Sequence, residues 1–572
     1  MFTNEFIVKS ILPVAKNISD PTVIYDDFDS GNGYFNEENG ECKWHIENGM
    51  LRTSPKDCES LAYIHVFEQN VKFRTRIRIN EFFSNQSEFS LLTRYNAEDA
   101  WIRVNYQKHV SMWNTVVREG RDFPIIRYRR DLPQNAASLE VYKELEAGKW
   151  YDICVIADGS TVTCTVDGEE LFVIPNIPHL SPGRVGIRCR DISLDVDSFE
   201  LTLLSGQGTV IKNVKHTKLP DEVYREGGSV FEMKDGTLIY THHSKATFES
   251  KDNGFTWSRR EQWTDTYGYV NILRLNNGDF MKIAYKKEDD GATYVISQTS
   301  QDDGKTWFDG GHILRTPYRG NTTAHAGNMN DKLNQSGTTG RIFYSQNYEC
   351  VGGDIDGRIV FCEFYYSDDN GKTWVKSETD SWNIPGNENQ IRFGECKILE
   401  CDDGSLRMYN SWNMYGCVVY SESFDGGATW GELKKIPWLV TPCASMQFYR
   451  DPYADNPTTY YMVWVYCAPE KVEGAPMPRN RLALAKSTNG KDWHYLGDLW
   501  RWETPYGNPA PLAHVVDAFI KTTKEYVICG AGFCEHMMLP GEKGCAFHNA
   551  QRQHVYSIPK KDLDAVPFSS EQ

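Results

Sequence analysis

Ser367 to Trp374 reads SDDNGKTW, and the same pattern, Ser-x-Asp-x-Gly-x-Thr-Trp, returns as SKDNGFTW from Ser250, SQDDGKTW from Ser300 and SFDGGATW from Ser423, with a degenerate STNGKDW from Ser487. The chemistry of the motif explains its form. The Asp side chain caps the turn's own amides, Gly supplies a positive φ, and Trp carries a large apolar surface to bury between neighbouring sheets. The turn is a structural staple, and its recurrence from about residue 206 onward marks a repeat protein with one four-stranded blade per repeat. Trp257, Trp307, Trp374 and Trp430 are expected to lie buried between those blades.

Working outward from the turns, six apolar strand-turn-strand units line up: GGSVFEMKDGTLIYTHH, YVNILRLNNGDFMKIAYKK, AHAGNMN followed by TTGRIFYSQNY, GECKILECDDGSLRMYNSW, CASMQFYRD followed by TTYYMVWVY, and AHVVDAFIKTTKEYVICGAG. Six units at about 60 residues each give a six-bladed β-propeller over residues 206–572. Residues 1–205 carry none of the turns yet are rich in strands. Ala147 to Ile174 alternates apolar and polar residues and turns at Asp158-Gly159 and Asp167-Gly168, which reads as a meander. The fold class is therefore all-β, with an N-terminal jelly-roll β-sandwich ahead of the propeller.

The chain has 61 basic against 78 acidic residues, a net charge of -17. That balance argues against nucleic acid or an anionic membrane as the main partner and makes a neutral substrate the easier guess. No apolar run is long enough to span a membrane. Lys9, Ser10, Pro13 and Lys16 interrupt any signal-peptide core, so a cytoplasmic location is expected; the oligomeric state is left open. The 15 cysteines are scattered and sit in strand-like stretches, which suits buried thiols better than a disulfide framework.

In a propeller the residues that open each inner strand, and those that end the second strand, converge on one mouth. The first set comprises Glu226, Tyr269 with Asn271, His325, Glu395, Cys443 and His514. The second comprises His242 with His243, Lys286, Asn347 with Tyr348, Trp412 with Asn413, and Tyr466. Carboxylates, histidines, amides and aromatics at one mouth suit a polar ring, although each residue taken alone also fits a structural hydrogen-bonding role. No cofactor or metal is called for. Zinc or calcium is the alternative, and Cys534, His536, Cys545, His548 and His554 supply zinc-type ligands without a recognisable spacing; that stretch reads equally as a lid.

These BNR/Asp-box turns on a six-bladed propeller resemble the sialidase (neuraminidase) superfamily over about residues 215 to 560. The N-terminal strands around YDDFDSG, WHIENGML and GRVGIRCRDISLDVDSFEL resemble concanavalin-like (laminin-G-like) domains that accompany carbohydrate-active enzymes, and imply either a glycan-binding face or a structural module. In GECKILECDDGSLRMYNS the resemblance implies that Glu395 polarises a tyrosine nucleophile. It places Tyr506 at that tyrosine by count and His514 by strand alignment, and it makes Arg481 a grip for a substrate carboxylate, with Arg225 offset by one residue from a second such arginine. Two departures matter. Ser411 stands where a further arginine is expected, and the loop after Tyr240 holds His242 and His243 in place of the acid/base aspartate.

The implied activity is an exo-type glycoside hydrolase acting on oligosaccharides or glycoconjugates, and not a standard sialidase. Glu395, Tyr506, His514, Glu226, His242 and His243 are the catalytic candidates. Arg481, Arg225, Tyr269, His325, Asn347, Tyr348 and Trp412 are the substrate-binding ones. The alternatives are a uronate lyase using His or Tyr as base in the same pocket, and a non-catalytic glycan-binding propeller.

Overall fold

The computed structural model describes residues 22–564 except 30–33, 38–42, 97–99, 119–125, 129–140, 176, 178–181, 205–210, 220–227, 243–246, 261–271, 316–331, 352–357, 388–392, 414, 442–443, 445, 455–458, 467–480, 502–513 and 535–550. The strands from Thr22–Asp26 to Ile192–Leu203 form two eight-stranded antiparallel sheets. One continuous core lies between them, with Phe73, Ile77, Leu91, Val104, Trp113, Ile153 and Val185 among its fully buried members. The alternation in Val71–Phe82 puts every second side chain into that core. The meander appears as Trp150–Asp158, Thr161–Val166 and Glu169–Ile174, and Asp167 and Gly168 both adopt positive φ in the second turn.

Six four-stranded antiparallel sheets follow. Their inner strands are Gly228–Glu232, Ile272–Arg274, Lys332–Gln335, Lys397–Glu400, Met446–Arg450 and His514–Thr522, in blades one to six. Blade six takes its outermost strand, Lys215–Lys218, from the start of the repeat region, where it pairs with Gln551–Pro559 near the end of the chain. A separate apolar cluster fills each gap between successive blades, including the gap between six and one. The ring is that of a six-bladed propeller.

Each repeated turn joins the third and fourth strands of its blade. In the first copy the Ser250 hydroxyl donates to Asp252 Oδ1 at 2.8 Å, Gly254 N–H donates to Ser250 Oγ at 2.9 Å, and Thr256 donates its N–H and hydroxyl to the two Asp252 oxygens at 2.9 and 2.6 Å. The other three full copies repeat this set. Two successive residues take positive φ: Asn253, Asp303, Asn370 or Gly426, and then the motif glycine. This explains the Asn, Asp or Gly at the fourth position, since those residues tolerate the left-handed region best. The Thr306 hydroxyl and amide hold the Asp302 carboxyl down to about 2.

The tryptophans staple each blade to the one before it. Trp257 packs in the cluster between blades six and one, Trp430 between three and four, and Trp493 of the degenerate copy between four and five. Trp307 and Trp374, expected to be buried, are only half-buried at the edges of their clusters. The Lys282 ammonium stands 4.2 Å over the Trp307 ring. The gap between blades five and six has no such turn. There the short helix Lys560–Asp564 contributes Leu563, and Ile211 and Val214 enter from the other end.

Eight described cysteines are free and buried. Cys58 departs from the reading of buried thiols, because it is disulfide-bonded.

Buried imidazoles sit where the sandwich meets the ring. His65 of the sandwich, 1% exposed, bonds the Asp498 carbonyl of blade five at 3.1 Å and sets its ring against Tyr556 of blade six. His216 stacks on Tyr556 and bonds His554 Nδ1 at 3.0 Å, so the closing strand is also held by imidazole. Burial, reinforced by the Arg184 guanidinium, pushes His65 down to about 3, and burial likewise pushes His216 well down. A histidine that resists protonation when folded, against about 6.5 when unfolded, contributes stability above that pH and loses it as pH falls from about 6.5 towards 3. His65 alone is expected to lower unfolding free energy by about 2 kcal/mol between pH 7.5 and 5. Urea unfolding at the two pH values measures it, and an unchanged slope in His65→Gln would refute the assignment.

Candidate active site

The inner strand of blade four does not begin cleanly. Phe393–Gly394 pairs with Trp412–Asn413 in a small two-stranded ladder of its own, and the main strand starts only at Lys397. The peptides between the two ladders have no strand partner, so they require side-chain partners. Glu395 sits in this break, 7% exposed, with φ +58°. A non-glycine residue in the left-handed region is held there by its surroundings, and such residues gather at functional sites.

Those surroundings come from two blades. Glu395 N–H donates to Asn347 Oδ1 at 3.2 Å, and the Lys397 ammonium donates to the Glu395 carbonyl at 3.3 Å. Cys396 N–H donates to Cys362 Sγ at 3.4 Å, and the Asn410 amide donates to the Gly394 carbonyl. Asn413 in turn donates to Asn410 Oδ1 at 2.9 Å and to the Cys417 carbonyl at 3.1 Å. Two tryptophans stand nearby. Half-buried Trp412 belongs to the residue pair across from Gly394. Trp382, 38% exposed, sets its ring edge-on to Phe361, while neighbouring Ser381 Oγ donates to the Phe393 carbonyl. Composition gave no signal for Trp382, Asn410 or Cys362; they come from a loop, from the last residue of the second strand of blade four and from a third strand.

The opposite end of the ring is tied together. Glu400, at the far end of the same inner strand, accepts from Ser336 Oγ at 2.6 Å, Gly337 N–H at 2.7 Å and Arg450 Nη1 at 2.9 Å. The Tyr453 hydroxyl of blade five donates to Glu232 of blade one at 2.7 Å, bridging two blades that are not neighbours.

Of the sequence candidates, Glu395, Asn347, Trp412 and Asn413 come together in this region. His242 ends the second strand of blade one and His514 opens blade six, whereas Asn347 and Tyr348 lie inside the second strand of blade three, which runs on to Val351. Glu226, Arg225, His243, Tyr269, His325 and Tyr506 lie outside the described residues. Arg481 opens the third strand of blade five and is 6% exposed. Its guanidinium pairs with Asp498 at 2.5 Å, on the strand whose carbonyl receives His65 from the sandwich. It is the register partner of Tyr466, at the end of the second strand, and so stands two strands out from the axis on that same end of the blade. Lys286 is exposed and pairs with Asp309 and Glu288. Ser411 is fully buried, and its carbonyl accepts from Thr441. Among the described residues no group of three His, Cys, Asp or Glu side chains could hold a metal ion. His536, Cys545 and His548 lie outside them, and His554 is bonded to His216.

A buried carboxylate at the break of an inner strand can take up or return a proton, or accept one from a neighbouring hydroxyl or imidazole.

Residues 280–526 match the BNR repeat-like domain. The match runs from the second strand of blade two into blade six and so includes Asn347, Glu395 and Trp412. Among solved structures, the chain is similar to the NanB sialidase from Streptococcus pneumoniae at 13% identity, covering 87% of this chain and 96% of that one, with a TM-score of 0.37. It is also similar to a leech intramolecular trans-sialidase at 12% identity, 87% and 95% coverage and a TM-score of 0.38. An α-L-arabinanase from Penicillium chrysogenum gives 13% identity, 63% and 99% coverage and a TM-score of 0.38. No curated protein matches the sequence.

Proposed function

We propose that the protein is an exo-type glycoside hydrolase of the sialidase superfamily, acting on oligosaccharides or glycoconjugates other than sialosides. The observation that carries this reading is Glu395, a carboxylate held buried in a left-handed backbone at the mouth end of an inner strand. Hydrolysis of a glycoside commonly needs such a group as acid, base or activator. The ties among Glu400, Arg450, Tyr453 and Glu232 at the other end favour a pocket that takes a chain end over a groove that takes a chain middle. The match to the BNR repeat-like domain supports the assignment to this group of folds.

Sialosides are set aside because Ser411 stands in place of a carboxylate-gripping arginine and Arg481 is committed to Asp498. Release of fluorophore from a panel of 4-methylumbelliferyl glycosides tests the reading. Turnover of at least one neutral glycoside and none of the sialoside is expected; robust sialic acid release would refute the substrate assignment. A uronate lyase is the second reading, favoured by the histidines at the strand ends of blades one and six, His242 and His514. It would show itself as ultraviolet absorbance rising on uronate-containing glycans without added water across the bond.

A further inference from the structure

We propose that Asn347 is a positioning residue that holds Glu395 in its left-handed conformation, with its side-chain oxygen given to the protein and not to substrate. The inference rests on the reading of Glu395 as the catalytic carboxylate.

The argument is one of valence. An amide carbonyl oxygen has two lone pairs. Asn347 Oδ1 accepts from the Glu395 N–H at 3.2 Å and from the Cys362 thiol at 3.6 Å, so both are engaged inside the protein. The residue is 3% exposed, in the second strand of blade three, and it reaches across the gap to blade four. Glu395 and Cys396 lie between the two ladders, and three side chains from three strands hold the segment: Asn347 on the Glu395 N–H, Asn410 on the Gly394 carbonyl, and Cys362 on the Cys396 N–H. All three are uncharged. They therefore hold the backbone that carries the carboxylate without adding a charge of their own, and the charged group bonded to this segment is the Lys397 ammonium, on the Glu395 carbonyl at 3.3 Å. Removing the Asn347 acceptor takes away the hydrogen bond that holds the Glu395 N–H, and rotation of the peptide out of positive φ then relieves the backbone strain. A carboxylate displaced by about 1 Å can lose about a hundredfold in rate.

Two variants test this. In Asn347→Ala the acceptor is gone. Its crystal structure should show Glu395 out of the left-handed region, and kcat on whichever 4-methylumbelliferyl glycoside the wild type cleaves should fall about 10- to 100-fold with KM little changed. Asn347→Asp keeps an acceptor in the same place and adds a negative charge. It should retain the Glu395 conformation and most of kcat, while the acid limb of its pH–rate profile moves up by about one unit, because a like charge disfavours ionisation of Glu395. A folded Asn347→Ala that keeps Glu395 at its original φ, or an aspartate variant whose acid limb stays in place, overturns the proposal. If Asn347→Ala does not fold, the aspartate variant decides alone. Should the wild type cleave no glycoside, the functional reading fails, and the conformation of Glu395 in the crystals of the two variants still decides the clamp.

Discussion

Glu395→Gln is expected to lower kcat on the cleaved glycoside by a factor of about 100 to 10,000 while leaving the fold intact. The substitution keeps the side chain's shape and removes its charge. Among the described residues, the Glu395 N–H goes to Asn347 and its carbonyl to Lys397, both main-chain contacts. They survive the change, so the left-handed turn and the packing of blades three and four should persist. A purely structural Glu395 would show the reverse pattern, with a lowered melting temperature and normal turnover. Steady-state rates together with a thermal melt separate the two, and a folded variant with wild-type kcat would end the catalytic assignment.

Trp430→Ala is expected to cost about 3–5 kcal/mol of stability, the range for removal of a large aromatic from a packed core. Trp430 is 3% exposed, stacks obliquely against Phe364 and lies in the cluster that holds blade four to blade three. Its turn is also tied to blade three by Ser377 Oγ, which donates to the Gly427 carbonyl at 2.5 Å. Trp374 occupies the matching place one blade earlier but is half-buried, so Trp374→Ala should cost distinctly less. Denaturant melts of the two variants give the comparison; equal losses would mean that burial does not govern these staples.

The difference between those two tryptophans shows where the sequence stops being informative. The turns are legible because their chemistry is local: Ser, Asp, Gly and Thr satisfy one another within eight residues, and the eight-residue pattern appears in the string itself. How deeply each Trp is buried depends on the preceding blade, which the motif does not encode. The same holds at the site. Glu395 can be found from its place at a strand opening, but its left-handed backbone is imposed by Asn410 of its own blade and by Asn347 and Cys362 of blade three, and the last two become neighbours only once the two blades pack. Asn347 read as a sugar ligand because strand ends point to the mouth; the structure turns its carbonyl inward. Arg481 stands ahead of the degenerate turn, as the sequence shows, and its ion pair with Asp498 appears only once the third and fourth strands of blade five pair.

The pairing of Lys215–Lys218 with Gln551–Pro559 has a consequence for biosynthesis. The ribosome delivers the early strand first, and its partner emerges only after nearly all of the other blades, on the order of half a minute later at roughly 5–20 residues per second. Throughout that interval a nascent edge carrying His216 waits without its mate, exposed to pairing with the wrong neighbour or a second chain. Joining the ring is thus the last event of synthesis, and slowing translation of the final blade should raise aggregation more than slowing it anywhere earlier.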